Sequence, residues 1–236
     1  MYELKSRVRF SETDENGVLT LWGMMDYLQD CCTMQAEDLG IGLPYLRENH
    51  LGWIVTSYQI KIKGELPEIG DEIVVKTWPY HFRGMFGYRN FTIEDVFGNT
   101  IVEADSLWLL MDLQQQKPVR LPEKMKEAYQ LSPQLQGQWD IRKKLVMDGG
   151  EQVDSFTVSK MHLDTNHHMN NAKYIEAAAS VISAPDEIRE IWIAYKKQAR
   201  YQDQVLCVRK DLEGGAVVGL TDEKGEEYCV VEFCYN

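Results

Sequence analysis

Two short polar stretches, 150 positions apart and starting at Asp14 and Asp164, constrain this chain more than any other feature. The first reads Asp14-Glu15-Asn16-Gly17-Val18 and the second Asp164-Thr165-Asn166-His167-His168. Asp and Asn compete for backbone hydrogen bonds, so they favour turns and helix caps. Each stretch runs straight into apolar residues at three- and four-residue spacing, the pattern of a helix with one buried face. After the first stand Leu21, Met24, Met25, Leu28, Cys31 and Cys32; after the second, Tyr174, Ile175, Ala178 and Ile182. Further on, Gly70-Asp71-Glu72-Ile73-Val74-Val75 parallels Gln202-Asp203-Gln204-Val205-Leu206-Cys207. A unit made twice is the simplest explanation.

The order of elements agrees. In the first half, a helix ending at Gly40 precedes strands over 52–63, 72–80, 86–96 and 100–111, the last two forming a hairpin around Phe97-Gly98-Asn99. Gln114–Gln116, Pro118, Pro122, Pro133 and Gly137 then break any long pattern, leaving a short helix near 123–130 in a linker that crosses the surface. In the second half a strand near 153–159 leads to the Asp164 stretch and a helix reaching about Ser183, stopped by Pro185. Strands over 191–200 and 205–212 follow, with turns at Gly214-Gly215 and Asp222–Gly225 between the last ones. The expected division is 1–112, a linker at 113–138, and 139–236. Asn170 or Asn171 is the natural N-cap of the second helix, which puts His168 just before a helix N-terminus.

Charge and cysteine usage narrow the class. A net charge of −12 argues against a general nucleic-acid binder, which needs an electropositive face. Five cysteines with no framework spacing fit a reducing compartment. Apolar runs such as Leu107–Met111 are far shorter than a membrane span, and the chain does not open on a charged lead and apolar core. The expectation is a cytoplasmic protein with no nucleic-acid partner and no membrane span.

His168 and its neighbours admit several readings. A turn and a cap account for them without any chemistry. His162, His167, His168 and Asp164 are also metal-ligand types, but no pair has the helical spacing of a zincin and no CxxC accompanies them, so no metal and no cofactor are expected. The third reading is a base beside an anion-stabilising helix end, suited to acyl transfer.

The ordered set Asp164, Asn166, His168, Asn170, Asn171 and Tyr174 resembles the Asp-x-Asn-x-His-Val-Asn-Asn-x-x-Tyr stretch of the acyl-ACP thioesterase family, the plant FatA/FatB enzymes and their bacterial relatives, with Met169 in place of Val. The resemblance implies an α+β tandem (double) hotdog, each half a long helix wrapped by an antiparallel sheet. It implies a non-catalytic N-terminal copy and a catalytic C-terminal copy. It also implies acyl carrier protein, with its acylated phosphopantetheine arm, as the partner. Whether two chains pair as a homodimer stays open.

Hydrolysis of a thioester needs a water, a base and donors for the carbonyl oxygen. His168 is the candidate base, Asp164 its orienting partner, and Asn166 a ligand for water or for the carbonyl. Backbone N–H groups at Asn170 and Asn171 are candidates for the oxyanion hole. No Gly-x-Ser-x-Gly elbow is present, so water attacks directly. The family carries a Glu on the following strand within a Tyr-Arg-Arg-Glu-Cys type stretch; here Tyr195-Lys196-Lys197-Gln198-Ala199 puts Gln198 at that position and excludes a cysteine nucleophile. An amide hydrogen-bonds water but cannot take its proton.

Candidate contacts to the substrate are Asn170, Asn171 and Tyr174, with Met24, Met25, Leu28, Trp53, Phe86 and Trp108 lining an acyl slot or simply filling a core. Candidate docking positives are Arg142-Lys143-Lys144, Lys173, Lys196-Lys197 and Arg200. An acyl-CoA thioesterase of the same fold and a non-catalytic acyl-binding protein remain the alternatives.

Overall fold

The computed structural model describes residues 1–235. It divides into two compact units: one holds residues 1–20 and 26–141, and the other begins at Arg142 and also takes in Leu21–Met25. No helix among the described residues is long and apolar enough to cross a membrane.

In the first unit, β1 (Tyr2–Arg7) precedes a 3-10 turn at Phe10–Glu12, helix α1 (Leu21–Asp38), which lies in this unit from Asp26 onward, and the short α2 (Leu43–Glu48). Strands β2 (Leu51–Ile62), β3 (Glu72–Arg83), β4 (Phe86–Asp95) and β5 (Thr100–Asp112) follow, all antiparallel in the order β1-β3-β4-β5-β2. Alternation decides the faces. Thr77, Phe91, Ala104 and Ile60 lie opposite one another across four strands, as do Val75, Ile93, Val102 and Ile62, and all eight are buried. Burying an apolar side chain of this size contributes about 1.5–3 kcal/mol. Helix α1 packs over β3 and β4, where Cys31 Sγ donates to Val75 O (3.4 Å) and Arg89 Nη1 donates to Gln35 Oε1 (2.6 Å).

The stretch 113–138 does more than cross the surface. It forms β6 (Lys117–Pro118) against β5 and helix α3 (Glu123–Ala128), and its Leu121, Met125 and Tyr129 are buried with Ala36, Ile41 and Leu110. The chain beyond α3 stays attached: Pro133 O accepts from Trp78 Nε1 (2.8 Å), and Leu135 N donates to Asn90 Oδ1 (2.9 Å).

The second unit contains β7 (Glu151–Thr157), a 3-10 turn at Lys160–His162 and helix α4 (Asn171–Ala179). Its other strands are β8 (Ile188–Tyr195), β9 (Gln204–Leu212), β10 (Gly215–Thr221) and β11 (Glu227–Tyr235), in the order β7-β9-β10-β11-β8. With β7 read for β1 and β8 for β2, this is the order of the first unit. The core again comes from facing strands, with Val218, Val231 and Ile193 aligned and buried.

Two elements are shorter than the spacing predicts. Helix α4 stops at Ala179 instead of reaching Ser183; at its C-cap Ser180 Oγ donates to Ala177 O (2.8 Å). Strand β8 ends at Tyr195 instead of Arg200. Lys196 N (2.8 Å) and Lys197 N (3.2 Å) both donate to Tyr228 O, so two residues oppose one and the chain leaves the ladder before Gln198.

Candidate active site

The Asp164 loop is held by its own first residue. Asp164 Oδ1 accepts from Asn166 N (2.8 Å) and His168 N (3.2 Å), and Asp164 N donates to His168 O (2.8 Å). The first unit repeats this: Asp14 Oδ1 accepts from Asn16 N and Val18 N (both 2.9 Å), and Asp14 N donates to Val18 O (2.9 Å). The left-handed corner falls at Gly17 (φ 82°) in one loop and His167 (φ 62°) in the other. The framework is shared, and the side chains differ.

The loop is tied in turn to the segment after β8. His168 pairs with Arg200 as an isolated bridge, and Met169 N donates to Ala199 O (2.9 Å). The Ala199 N–H donates to Tyr174 Oη (2.8 Å). One residue thereby joins the loop to helix α4, and Gln198 is held next to it, exposed and off the strand. In the first unit the loop makes the matching bond, from Leu19 N to Pro67 O (2.9 Å).

His168 is half-buried, while Asn166 and His167 are exposed. Burial lowers the His168 pKa from its ordinary value of 6.5; the Asp164 carboxylate opposes this, and Arg200 and His167 add to it. The neutral imidazole, able to accept a proton, is the favoured form. Asp164 serves His168 through the backbone: its hydrogen bonds go to amide N–H groups of the loop, and its charge acts on the ring across space.

Several expected contacts have other partners. Asn170 is the N-cap, its Oδ1 taking the Ala172 N–H (2.9 Å) and its own N–H donating to His162 O (2.8 Å), so that amide is not available to an oxyanion. Asn171 opens the helix, and its carbonyl accepts from Tyr195 Oη (3.2 Å). Tyr174 is buried edge-on to Tyr195, with its hydroxyl committed to Ala199. His162 accepts the Ser159 N–H on Nδ1 (3.2 Å), closing the 3-10 turn. Met24, Met25 and Leu28 are fully buried, and Trp53 packs partly buried against the Leu110 cluster. No group of three or more His, Cys, Asp or Glu among the described residues is arranged to hold a metal ion.

Most of the expected docking positives are neutralised. Lys143 pairs with Glu232 (2.8 Å), Lys173 with Glu176 (2.6 Å), Lys196 with Glu227, and Lys197 with both Asp222 (2.8 Å) and Glu226 (2.6 Å). Sequence reasoning passed over Tyr201, which joins Lys160, Leu163, Asp164, His167 and Arg200 around an open groove beside the loop. A signal was available: the alignment of Asp71 with Asp203 sets Tyr201 opposite Ile69 and Arg200 opposite Glu68.

Comparison with known proteins agrees with the repeat. The family model for the acyl-ACP thioesterase N-terminal domain matches residues 1–129, and that for the C-terminal domain matches residues 145–235. The chain is 24% identical over 217 residues to the acyl-[acyl-carrier-protein] hydrolase FATB3, chloroplastic, of Cuphea viscosissima, covering 84% of this chain and 52% of that protein. It is 26% identical over 200 residues to the chloroplastic palmitoyl-acyl carrier protein thioesterase of Arabidopsis thaliana, covering 78% and 48%. The chain thus spans about half the length of the curated relatives it matches. Among solved structures, an acyl-ACP thioesterase from Bacteroides thetaiotaomicron superposes with a TM-score of 0.90 at 22% identity, over 99% of this chain and 97% of that one. The 12:0-ACP thioesterase of Umbellularia californica gives 0.85 at 16% identity, over 100% and 96%. These likenesses establish the tandem hotdog fold.

Proposed function

The chain belongs to the acyl-ACP thioesterase family, and on that premise we propose that it hydrolyses the thioester of fatty acyl-ACP to free fatty acid and holo-ACP, with the second unit carrying the chemistry. The observation that supports this best is the difference between two like-built loops: His168 occupies the position that Val18 holds in the first unit. Only one of the two loops has an imidazole at this position.

In this reading a water held by the Asn166 amide attacks the thioester carbonyl and gives its proton to the neutral His168 imidazole. The tetrahedral intermediate collapses, the C–S bond breaks, and the imidazolium returns the proton to the departing thiolate. Asp164 keeps His168 and Asn166 in place by fixing the loop backbone. Gln198 is set to orient the water, and as an amide it leaves proton transfer to His168.

The test is hydrolysis of acyl-ACP and acyl-CoA carrying the same acyl chain, with His168→Ala and Gln198→Glu assayed beside the wild type. Turnover of acyl-ACP that collapses in His168→Ala is expected, since general base catalysis contributes about a hundredfold or more. Gln198→Glu is expected to raise kcat several-fold by adding a proton acceptor. Turnover of acyl-CoA alone would reassign the carrier; no turnover of either would leave an acyl-binding protein.

A further inference from the structure

Each unit closes one hairpin with the same turn. In the first, between β4 and β5, Asp95 Oδ1 accepts from Phe97 N (2.9 Å) and Asn99 N (2.8 Å), and Asp95 N donates to Asn99 O (3.0 Å). In the second, between β10 and β11, Asp222 Oδ1 accepts from Lys224 N and Glu226 N (both 2.9 Å), and Asp222 N donates to Glu226 O (2.9 Å). The second carboxylate oxygens go different ways. Asp95 Oδ2 accepts from Asn99 Nδ2 (2.8 Å), inside its own turn. Asp222 Oδ2 accepts from Lys197 Nζ (2.8 Å), 25 positions away, and Glu226 Oε2 takes the same ammonium (2.6 Å). A turn that is self-contained in one unit is an anchor in the other.

The anchored residue stands where the two units part. Six positions past each turn aspartate, Ile101 O accepts from Lys63 N and Tyr228 O from Lys196 N (both 2.8 Å). Lys197 therefore matches Gly64, which has no side chain to hold. Tyr228 O also accepts from Lys197 N (3.2 Å), and Lys197 Nζ lies 5.2 Å from the centre of the Tyr228 ring. Sharing one acceptor between two amides breaks the ladder and re-aims the residues that follow. Gln198 comes next, and then Ala199, whose N–H donates to Tyr174 Oη and whose carbonyl accepts from Met169 N. Tyr174 and Met169 fix the far side of Gln198, and Lys197 fixes the near side.

We infer that Lys197, anchored on Asp222 and Glu226, is a positioning residue that sets the place of Gln198 beside the His168 loop. This rests on the thioesterase reading, in which Gln198 orients the attacking water. The first unit, which has Val18 in place of His168, puts a glycine at the lysine position and closes its turn on itself. Exposed ion pairs give little stability, but a small shift of a water-orienting group weighs heavily on rate.

The test is steady-state hydrolysis of acyl-ACP by wild type, Lys197→Gln, Gln198→Ala and the double variant, with thermal melts to confirm that each is folded. Lys197→Gln is expected to lower kcat about fivefold with KM little changed, and Lys197→Arg to restore it. In the Gln198→Ala background the same substitution should change kcat by less than about twofold, because its effect passes through the amide. Asp222→Asn, which keeps an oxygen for the turn amides and removes the charge, should match Lys197→Gln. Lys224→Gln, an exposed charge on the same turn, should leave kcat unchanged. An unchanged kcat in Lys197→Gln, or an equal loss with and without Gln198, would overturn the inference. Hydrogen exchange at the Ala199 and Met169 amides is read without substrate and should quicken about fivefold in Lys197→Gln. An unchanged exchange rate would overturn the inference whatever the activity. A wild type that hydrolyses nothing would end the proposed activity, and quickened exchange would then still assign Lys197 to holding the Gln198 segment.

Discussion

Tyr174 and Ala199 share a hydrogen bond of 2.8 Å, from the Ala199 amide to the Tyr174 hydroxyl, and Ala199 returns its carbonyl to Met169 N at 2.9 Å. A buried tyrosine on helix α4 thus sets the position of a peptide that supports the His168 loop on one side and leads to Gln198 on the other. Tyr174→Phe keeps the ring and leaves the Ala199 N–H without its acceptor, at a cost of about 1–3 kcal/mol. Thermal unfolding should report that loss. Steady-state kinetics should show a lower kcat with KM little changed, because the loop and not the acyl contact is disturbed. A KM effect alone would give Tyr174 a substrate contact instead.

The paired loops supply an internal control. Asp14→Ala and Asp164→Ala each remove an acceptor for two backbone amides. Both should destabilise the protein by a similar amount, about 1–2 kcal/mol. Hydrolysis should collapse only in Asp164→Ala. A comparable loss of activity in Asp14→Ala, at a temperature where both variants are folded, would remove the assignment of chemistry to the second unit.

His168 has a pKa lowered from 6.5, chiefly by burial. As a base it works in the neutral form, so kcat/KM should rise with pH along a limb whose apparent pKa lies below 6.5, and be level at neutral pH. The stability effect has the same sense. The neutral form is favoured in the fold, so its contribution is complete above 6.5 and is lost as pH falls through the lowered value. Arg200→Gln removes one cause of the lowering and should move the limb upward. An unmoved limb would mean that another group titrates.

Asp105 is fully buried in the first unit, where burial raises its pKa from 3.8 to about 6. Tyr80 Oη (3.1 Å), Gln134 Nε2 (3.3 Å), Asn90 Nδ2 (3.2 Å) and Ser106 N (2.9 Å) all donate to it. A raised pKa means the folded state binds the proton more tightly, so this stabilisation is complete below 3.8 and lost as pH rises through about 6. The change amounts to roughly 3 kcal/mol. Denaturant melts of wild type and Asp105→Asn across that range should converge or diverge by this amount, the variant lacking the pH-dependent part. Parallel curves would place the titration elsewhere.

Much of this was legible in the chain itself, because it rests on local chemistry. The spacing of Asp14 from Asn16 and of Asp164 from Asn166 dictates an Asx-type turn in each loop, and the structure builds both with the same hydrogen bonds. Apolar periodicity located α1, and the turn at Gly98 (φ 84°) fixed the β4–β5 hairpin. Asn170, one of two candidate caps, took the position because its side chain reaches the Ala172 amide.

What only the tertiary structure decided concerns which partners polar groups find. Lys196 and Lys197 read as free cations in the sequence; folding brings Glu227, Asp222 and Glu226 to them from strand β11 and its turn, 25 to 31 positions away. Gln198 reads as a strand residue, but two amides sharing the Tyr228 carbonyl end β8 before it. The Asn170 amide reads as an oxyanion donor and is taken by His162 O. A turn or a cap depends on residues a few positions apart, so the sequence alone determines it. Which charge is neutralised, and which amide is already bonded, depends on chain segments that meet only when the chain folds.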